Sequence, residues 1–177
     1  MIFKETKLKG AFAIDLEKLE DERGFFGRLW DKKEFETRNL DTDLVQCSTS
    51  FNKKKGTLRG LHYQQAPYEE TKIIRCTKGK IFDVIVDLRK SSKTFKDWIW
   101  MELSEENYKM LYVPKGFAHG FQTLTDNTEV FYQISQYFIS EYSYGLRWND
   151  TAFNIKWPFV PPTIISEKDS SYPNFEC

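Results

Sequence analysis

The 177 residues contain two histidines, and both sit in small, glycine-flanked settings. His62 lies in Arg59-Gly60-Leu61-His62-Tyr63-Gln64. His119 lies in Pro114-Lys115-Gly116-Phe117-Ala118-His119-Gly120-Phe121. An imidazole titrates near neutral pH, so His62 is a natural general base, and a carboxylate partner would orient its ring and stabilise the imidazolium. Lys72 stands where the chain enters an apolar run. Arg23, Arg59 and Lys168 are cations able to hold phosphates, although solvation is the ordinary role of any such charge. Other chemistries fit less well. The histidines are far apart in sequence, with no His-x-His or His-x-x-x-His, and a zinc or iron site needs three or four protein ligands, so no metal is expected. There is no G-x-S-x-G elbow, and Cys47 and Cys76 lie in no nucleophile motif, reading instead as spectator thiols. P-loop and G-x-G-x-x-G signatures are absent from the sequence.

The elements that must position these residues are short strands. Lys+Arg and Asp+Glu each number 26, and the formal net charge of zero argues against a nucleic-acid binder that works by bulk positive charge. Aromatic residues are abundant, with 15 Phe, 9 Tyr and 5 Trp, which favours strands and a site that stacks on a flat ligand. Cys47, Cys76 and Cys177 are odd in number and lack C-x-x-C spacing, so they read as free thiols in a reducing compartment. The opening MIFKETKLKG has no apolar core of a signal peptide, and no apolar run approaches the roughly 20 residues of a membrane span. A cytoplasmic location is therefore expected. The length fits one domain over 1–177, with no repeat, low-complexity stretch or linker.

The clearest strand is 81–88. Period-two alternation puts Phe82, Val84, Val86 and Leu88 on one face, and Ile81, Asp83, Ile85 and Asp87 on the other. Two carboxylates thus fall on an otherwise apolar face. Further strands are expected at 72–77, 98–103, 109–113, 120–124, 129–136 and 145–148, punctuated by Gly79, Pro114-Lys115-Gly116 and Asp126-Asn127. Helical signal is scarce. Asp31 stands three residues before Glu34 and opens a helix over 31–38, and Ser104 to Asn107 could cap a single turn. Many short strands with little helix read as all-β, with a double-sheet barrel of the jelly-roll or cupin type favoured. Periodicity supplies that class and not the topology.

With these residues in order, the chain resembles the dTDP-4-dehydrorhamnose 3,5-epimerase family. The blocks that match are Asp21-Glu22-Arg23-Gly24-Phe25-Phe26, Arg59 to Gln64, Lys72, Phe82-Asp83-Val84, Val113 to Phe121, Glu129-Val130-Phe131-Tyr132, Trp148-Asn149-Asp150 and Ser166-Glu167-Lys168-Asp169. The resemblance runs from about residue 10 to residue 173. It implies a cupin-like β-barrel acting as a homodimer, with the N-terminal segment reaching the partner's site. It implies no metal and no cofactor, and a nucleotide-diphosphate 4-keto-6-deoxy sugar as substrate. In that family's terms His62 is the general base, Asp169 its dyad partner, and Tyr132 the acid on the opposite face. Lys72 stabilises the developing negative oxygen, and Asp83 is a supporting carboxylate. His119 contacts the sugar, Arg23 and Arg59 the diphosphate, and Gln46 and Lys168 complete the binding set. Phe26 falls where an aromatic helps hold the base.

The nucleotide end departs from the family's pattern. Arg28 stands where members acting on dTDP-sugars usually have Glu, Ser48 where they have Asn, Ser143 where they have Glu, and Phe138 where they have Tyr. Replacing Glu by Arg exchanges an acceptor for a donor and reverses the charge. The proton-transfer set is untouched. The expectation is epimerisation at C3, C5 or both of a dTDP-linked sugar, with a GDP-linked 4-keto-6-deoxy sugar or heptose as the alternative. A ketoisomerase on the same scaffold, a non-catalytic carbohydrate-binding cupin and a metal-dependent cupin dioxygenase remain as competing classes.

Overall fold

The structure, a computed structural model, describes residues 1–176; the thiol reading of Cys177 falls outside the described residues. In chain order the strands are β1 Ile2–Glu5, β2 Phe12–Asp15, β3 Lys18–Asp21, β4 Gly24–Gly27, β5 Gln46–Asn52, β6 Thr57–Gln64 and β7 Lys72–Lys78. They continue with β8 Lys80–Asp87, β9 Trp98–Ser104, β10 Met110–Val113, β11 Phe117–Thr123, β12 Thr128–Ile134, β13 Ser143–Gly145 and β14 Ile164–Ile165. Two short helices, α1 Lys32–Glu36 and α2 Glu167–Ser170, are added to them. One sheet runs β1-β2-β10-β7-β12-β5 and faces a second that runs β13-β6-β11-β8-β9, with β14 parallel to β6. Among the described residues the β3–β4 hairpin pairs only within itself. This is the cupin-like jelly roll.

Three apolar clusters hold it together. Ile74, Cys76, Leu111, Val113 and Val130 from the first sheet meet Ile81, Ile85, Leu103, Phe117 and Phe121 from the second, filling the space between sheets. The outer face of the second sheet, with Phe82, Val84 and Val86, is covered by Phe153 and Trp157. Phe35 of α1 covers Ile14, Ile73, Met110 and Tyr112 on the outer face of the first. The alternation read along 81–88 is therefore correct on both faces, because both are buried. Its two carboxylates meet different ends. Asp83 turns to His119. Asp87 closes a turn by accepting from Arg89 Nε at 2.9 Å, Ser92 Oγ at 2.6 Å and Thr94 Oγ1 at 2.7 Å.

The remaining elements agree in part. Asp31 is the N-cap of α1 and accepts from the amides of Lys33 and Glu34, but the helix stops at Glu36, and Glu34 pairs with Arg38 and the N-terminal amine instead of closing a capping box. Ser104 and Asn107 form a reciprocal turn without a helix, each side chain accepting the other's amide. The strand expected at 145–148 lies earlier, at Ser143–Gly145. Leu146 still exchanges backbone hydrogen bonds with Leu61, but Trp148 has left the ladder, its carbonyl accepting the Trp157 indole N–H at 2.7 Å. The strands β1 to β6 carried too little alternation to be read from sequence.

Candidate active site

The site lies between the two sheets. On β7 and β12 the inward residues change character along the strand: Ile74, Cys76 and Val130 lie in the core, whereas Lys72, Tyr132 and Ile134 line a cavity of 260 Å³. Ser48 and Ser50 of β5 continue this wall. The opposite wall is Arg59 and His62 of β6 and His119 and Phe121 of β11. A second cavity of 370 Å³ adjoins it, sharing Ser48, His62, Lys72 and Ile134 and adding Gln46, Glu70, Phe138, Ser143 and Lys168.

Strict alternation would put Arg59 and His62, three residues apart, on opposite faces of β6. Instead, His119 pairs with His62 and Phe121 with Arg59, so β6 carries one extra residue, a bulge that re-aims both side chains into the cavity. Glycine makes this crossing possible. A Cβ on Gly60, whose φ is +109°, would stand 2.7 Å from the Gly120 Cα, and one on Gly120 would stand 2.8 Å from the Arg59 carbonyl oxygen. The glycines of the two histidine blocks are thus one close contact between neighbouring strands.

Each histidine is paired with a carboxylate. His62 Nε2 lies 2.7 Å from Asp169 Oδ1, and Asp169 Oδ2 accepts the Gly60 amide at 3.0 Å. Asp169 is presented by α2, whose N-cap Ser166 accepts the Asp169 amide at 3.0 Å. Burial pushes the Asp169 pKa upward, but hydrogen bonding to His62, its charge and the Gly60 amide outweigh this and hold it below the usual carboxylate value. An ionised Asp169 requires Nε2 to carry a proton, which leaves Nδ1 as the basic nitrogen. His119 Nε2 lies 2.7 Å from Asp83 Oδ1, and here burial wins, raising the Asp83 pKa against the pull of His119 and Lys72.

Tyr132 approaches His119 edge-on, with ring centroids 6.1 Å apart. Burial, and then the negative charge of Asp83, push its phenol pKa far above the ordinary value, so the phenol keeps its proton in this setting. Lys72 Nζ lies 2.8 Å from Glu70 Oε1, and Arg59 Nε donates to Asn52 Oδ1 at 2.7 Å. Gln46 Oε1 accepts the Phe138 amide at 3.1 Å, which fixes the segment bearing Phe138 at the outer cavity.

Most of the sequence-derived residues thus converge: His62, Lys72, Tyr132, His119, Arg59, Ser48, Gln46, Phe138, Ser143 and Lys168 line the two cavities, with Asp169 and Asp83 behind the histidines. Three do not. Arg23, Phe26 and Arg28 lie on or beside the β3–β4 hairpin, where Arg23 pairs with Asp21 and Arg28 with Asp31, and Phe26 is 64% exposed. They line neither cavity of their own chain. Sequence reasoning missed Glu70, Asn52 and Tyr172, whose ring meets His62 edge-on at 6.1 Å. Glu70 was findable, since residues two apart in an extended chain share a face. Nothing local marks Tyr172.

A double-sheet barrel with a histidine–carboxylate pair on one wall and a phenol and lysine on the other defines a proton-transferring isomerase of the cupin-like class. The chain belongs to the dTDP-4-dehydrorhamnose 3,5-epimerase family, whose model matches residues 5–176. A dTDP-4-dehydrorhamnose 3,5-epimerase from Sinorhizobium fredii is 41% identical over 174 residues, covering 98% of this chain and 89% of that protein. The crystal structure of the Bacillus anthracis dTDP-4-dehydrorhamnose 3,5-epimerase, with TDP and pyrophosphate bound, superimposes with a TM-score of 0.93 at 42% identity, covering 98% of this chain and all of that one. The Legionella pneumophila dTDP-6-deoxy-D-glucose-3,5-epimerase, in complex with dTDP-4-keto-L-rhamnose, gives 0.89 at 31% identity, covering 99% of each chain.

Proposed function

We propose that this enzyme epimerises C3 and C5 of a dTDP-linked 4-keto-6-deoxy sugar, of the kind that leads to dTDP-4-dehydrorhamnose. Both carbons flank the C4 ketone, so their protons are acidified and the carbonyl is the electron sink. Inverting either centre requires removal of a proton from one face of the ring and its return on the other. One observation carries the reading: the base and the acid come from different sheets and line the same 260 Å³ cavity. His62 removes the proton through Nδ1, with Asp169 fixing the tautomer and stabilising the imidazolium. Lys72 faces the C4 oxygen as it becomes an enolate, and Tyr132 returns a proton from the far wall. His119, backed by Asp83, contacts the sugar. Arg59 binds the diphosphate, and Gln46, Ser48, Phe138, Ser143 and Lys168 hold the nucleotide in the outer cavity.

The enzyme works as a homodimer, with the whole chain forming one catalytic domain. The exposed β3–β4 hairpin brings Arg23, Phe26 and Arg28 to the partner's site, which accounts for three binding residues lying outside their own chain's cavities. Mixing His62→Asn chains with Arg23→Ala chains then restores activity, because each heterodimer contains one site with both residues intact. Mixed dimers no more active than their parents overturn the exchange.

The reaction itself is tested by incubation in deuterated water with dTDP-4-keto-6-deoxyglucose and, in parallel, a GDP-4-keto-6-deoxy sugar. Deuterium at both C3 and C5 of the dTDP-sugar is expected, and label at C3 alone would reduce the enzyme to a single-site epimerase. Label confined to the GDP-sugar would assign Arg28, Ser48 and Ser143 to a different nucleotide. No label in either would sink the reading.

A further inference from the structure

Glu70 is a carboxylate in a cavity whose other charged groups are mainly basic. It lines the outer cavity with Lys72, His62 and Lys168 but takes no part in lining the inner one, whereas Lys72 lines both. Its Oε1 lies 2.8 Å from Lys72 Nζ, and both side chains are only 12% exposed. The backbone between them is clamped. The Thr71 amide donates to Ser135 Oγ at 2.8 Å, the Thr71 carbonyl accepts the Ser135 amide at 3.0 Å, and Thr71 itself is buried. Glu70 therefore reaches Lys72 from a fixed platform.

A carboxylate here repels an anionic diphosphate, so its contribution to substrate binding is unfavourable. Its favourable effect is on the lysine. Lys72 shares its two cavities with Arg59 and His62 of β6, Lys168 of α2, His119 of β11 and Tyr132 of β12, and its charge acts on Asp83 of β8; Asp169 of α2 stands behind His62. Arg59, Lys168 and, once it takes a proton, His62 all repel the Lys72 ammonium group, and the carboxylates of Asp169 and Asp83 are engaged with the histidines. We propose that Glu70 is a positioning residue for Lys72, holding its ammonium group at the junction of the two cavities against that repulsion. This rests on Lys72 being the cation that faces the enolate oxygen.

The test compares wild type with Glu70→Gln, which keeps size and a hydrogen-bond acceptor but loses the charge, and with Glu70→Asp, which keeps the charge but shortens its reach. The mobility of the Lys72 side chain is read by NMR relaxation of ¹³Cε-labelled lysine, its signal assigned by Lys72→Arg. Lys72 is expected to be more mobile in Glu70→Gln than in wild type. With that loss of position kcat falls about tenfold, and KM for dTDP-4-keto-6-deoxyglucose stays the same or decreases. Glu70→Asp, which keeps the charge, recovers part of kcat. A Lys72 side chain no more mobile in Glu70→Gln overturns the proposal, as does a raised KM with unchanged kcat. If wild type exchanges no substrate protons, the function assigned above fails, whereas the Lys72 mobility still decides the role of Glu70.

Discussion

The two histidine–aspartate pairs have the same 2.7 Å contact and opposite electrostatics. His62 has a side chain 40% exposed to the cavity, and its Asp169 draws in a second donor, the Gly60 amide. His119 is 5% exposed, and Asp83 is fully buried with Oδ2 lacking a partner among the described residues. The Asp169 pKa is consequently lowered and that of Asp83 raised. Asp169 thus stays ionised beside a histidine that water can reach, whereas burial disfavours the ionisation of Asp83 beside a histidine that water scarcely reaches. Contact distance does not distinguish the two; the number of donors and the access of water do.

The largest break in this comparison is at the first pair. His62→Asn is expected to lower kcat on the order of 10⁴-fold, and Asp169→Asn roughly 10²-fold, the range that general-base catalysis supplies. Asp83→Asn is expected to cost less than about tenfold, below that range. Deuterium exchange at C3 measures all three, and an Asp83→Asn loss equal to that of Asp169→Asn would erase the distinction.

A smaller effect sharpens it by sign. Asp169 has a folded pKa below the ordinary 3.8, so it contributes stability above that pH that is lost as pH falls through the folded value. Asp83 has a folded pKa above 3.8, so the folded state holds a proton that the unfolded chain releases, and stability declines as pH rises from 3.8 through the raised value. Denaturant midpoints from pH 3 to 8 should show Asp169→Asn losing stability relative to wild type as pH rises from the acid end. Asp83→Asn should gain relative to wild type over the rising range. Parallel curves for the two variants would mean that the pairs are electrostatically alike.

Sequence by itself determined a good deal. The apolar run of β8 identified a strand and which residues share each face, because side chains alternate along any extended chain; that both faces are buried came from the structure. Asp31 marked the start of α1, because a carboxylate at that position satisfies free amides locally. The ordered blocks around His62, His119 and Tyr132 indicated the family and its chemistry. Each of these signals is carried by residues close together in the chain. What tertiary structure alone decided involves distant residues or a broken period. The bulge at Gly60, which turns Arg59 and His62 to one face, depends on contact with Gly120 in another strand. The opposite electrostatics of Asp83 and Asp169 depend on which donors and how much protein surround each carboxylate. Tyr172 meets His62 only because the C-terminal segment folds back over β6 and β13, where Gly145 leaves room for its ring. A pattern in one stretch of chain records which face is buried, and the chemistry of the site is set by what the other stretches bring to that face.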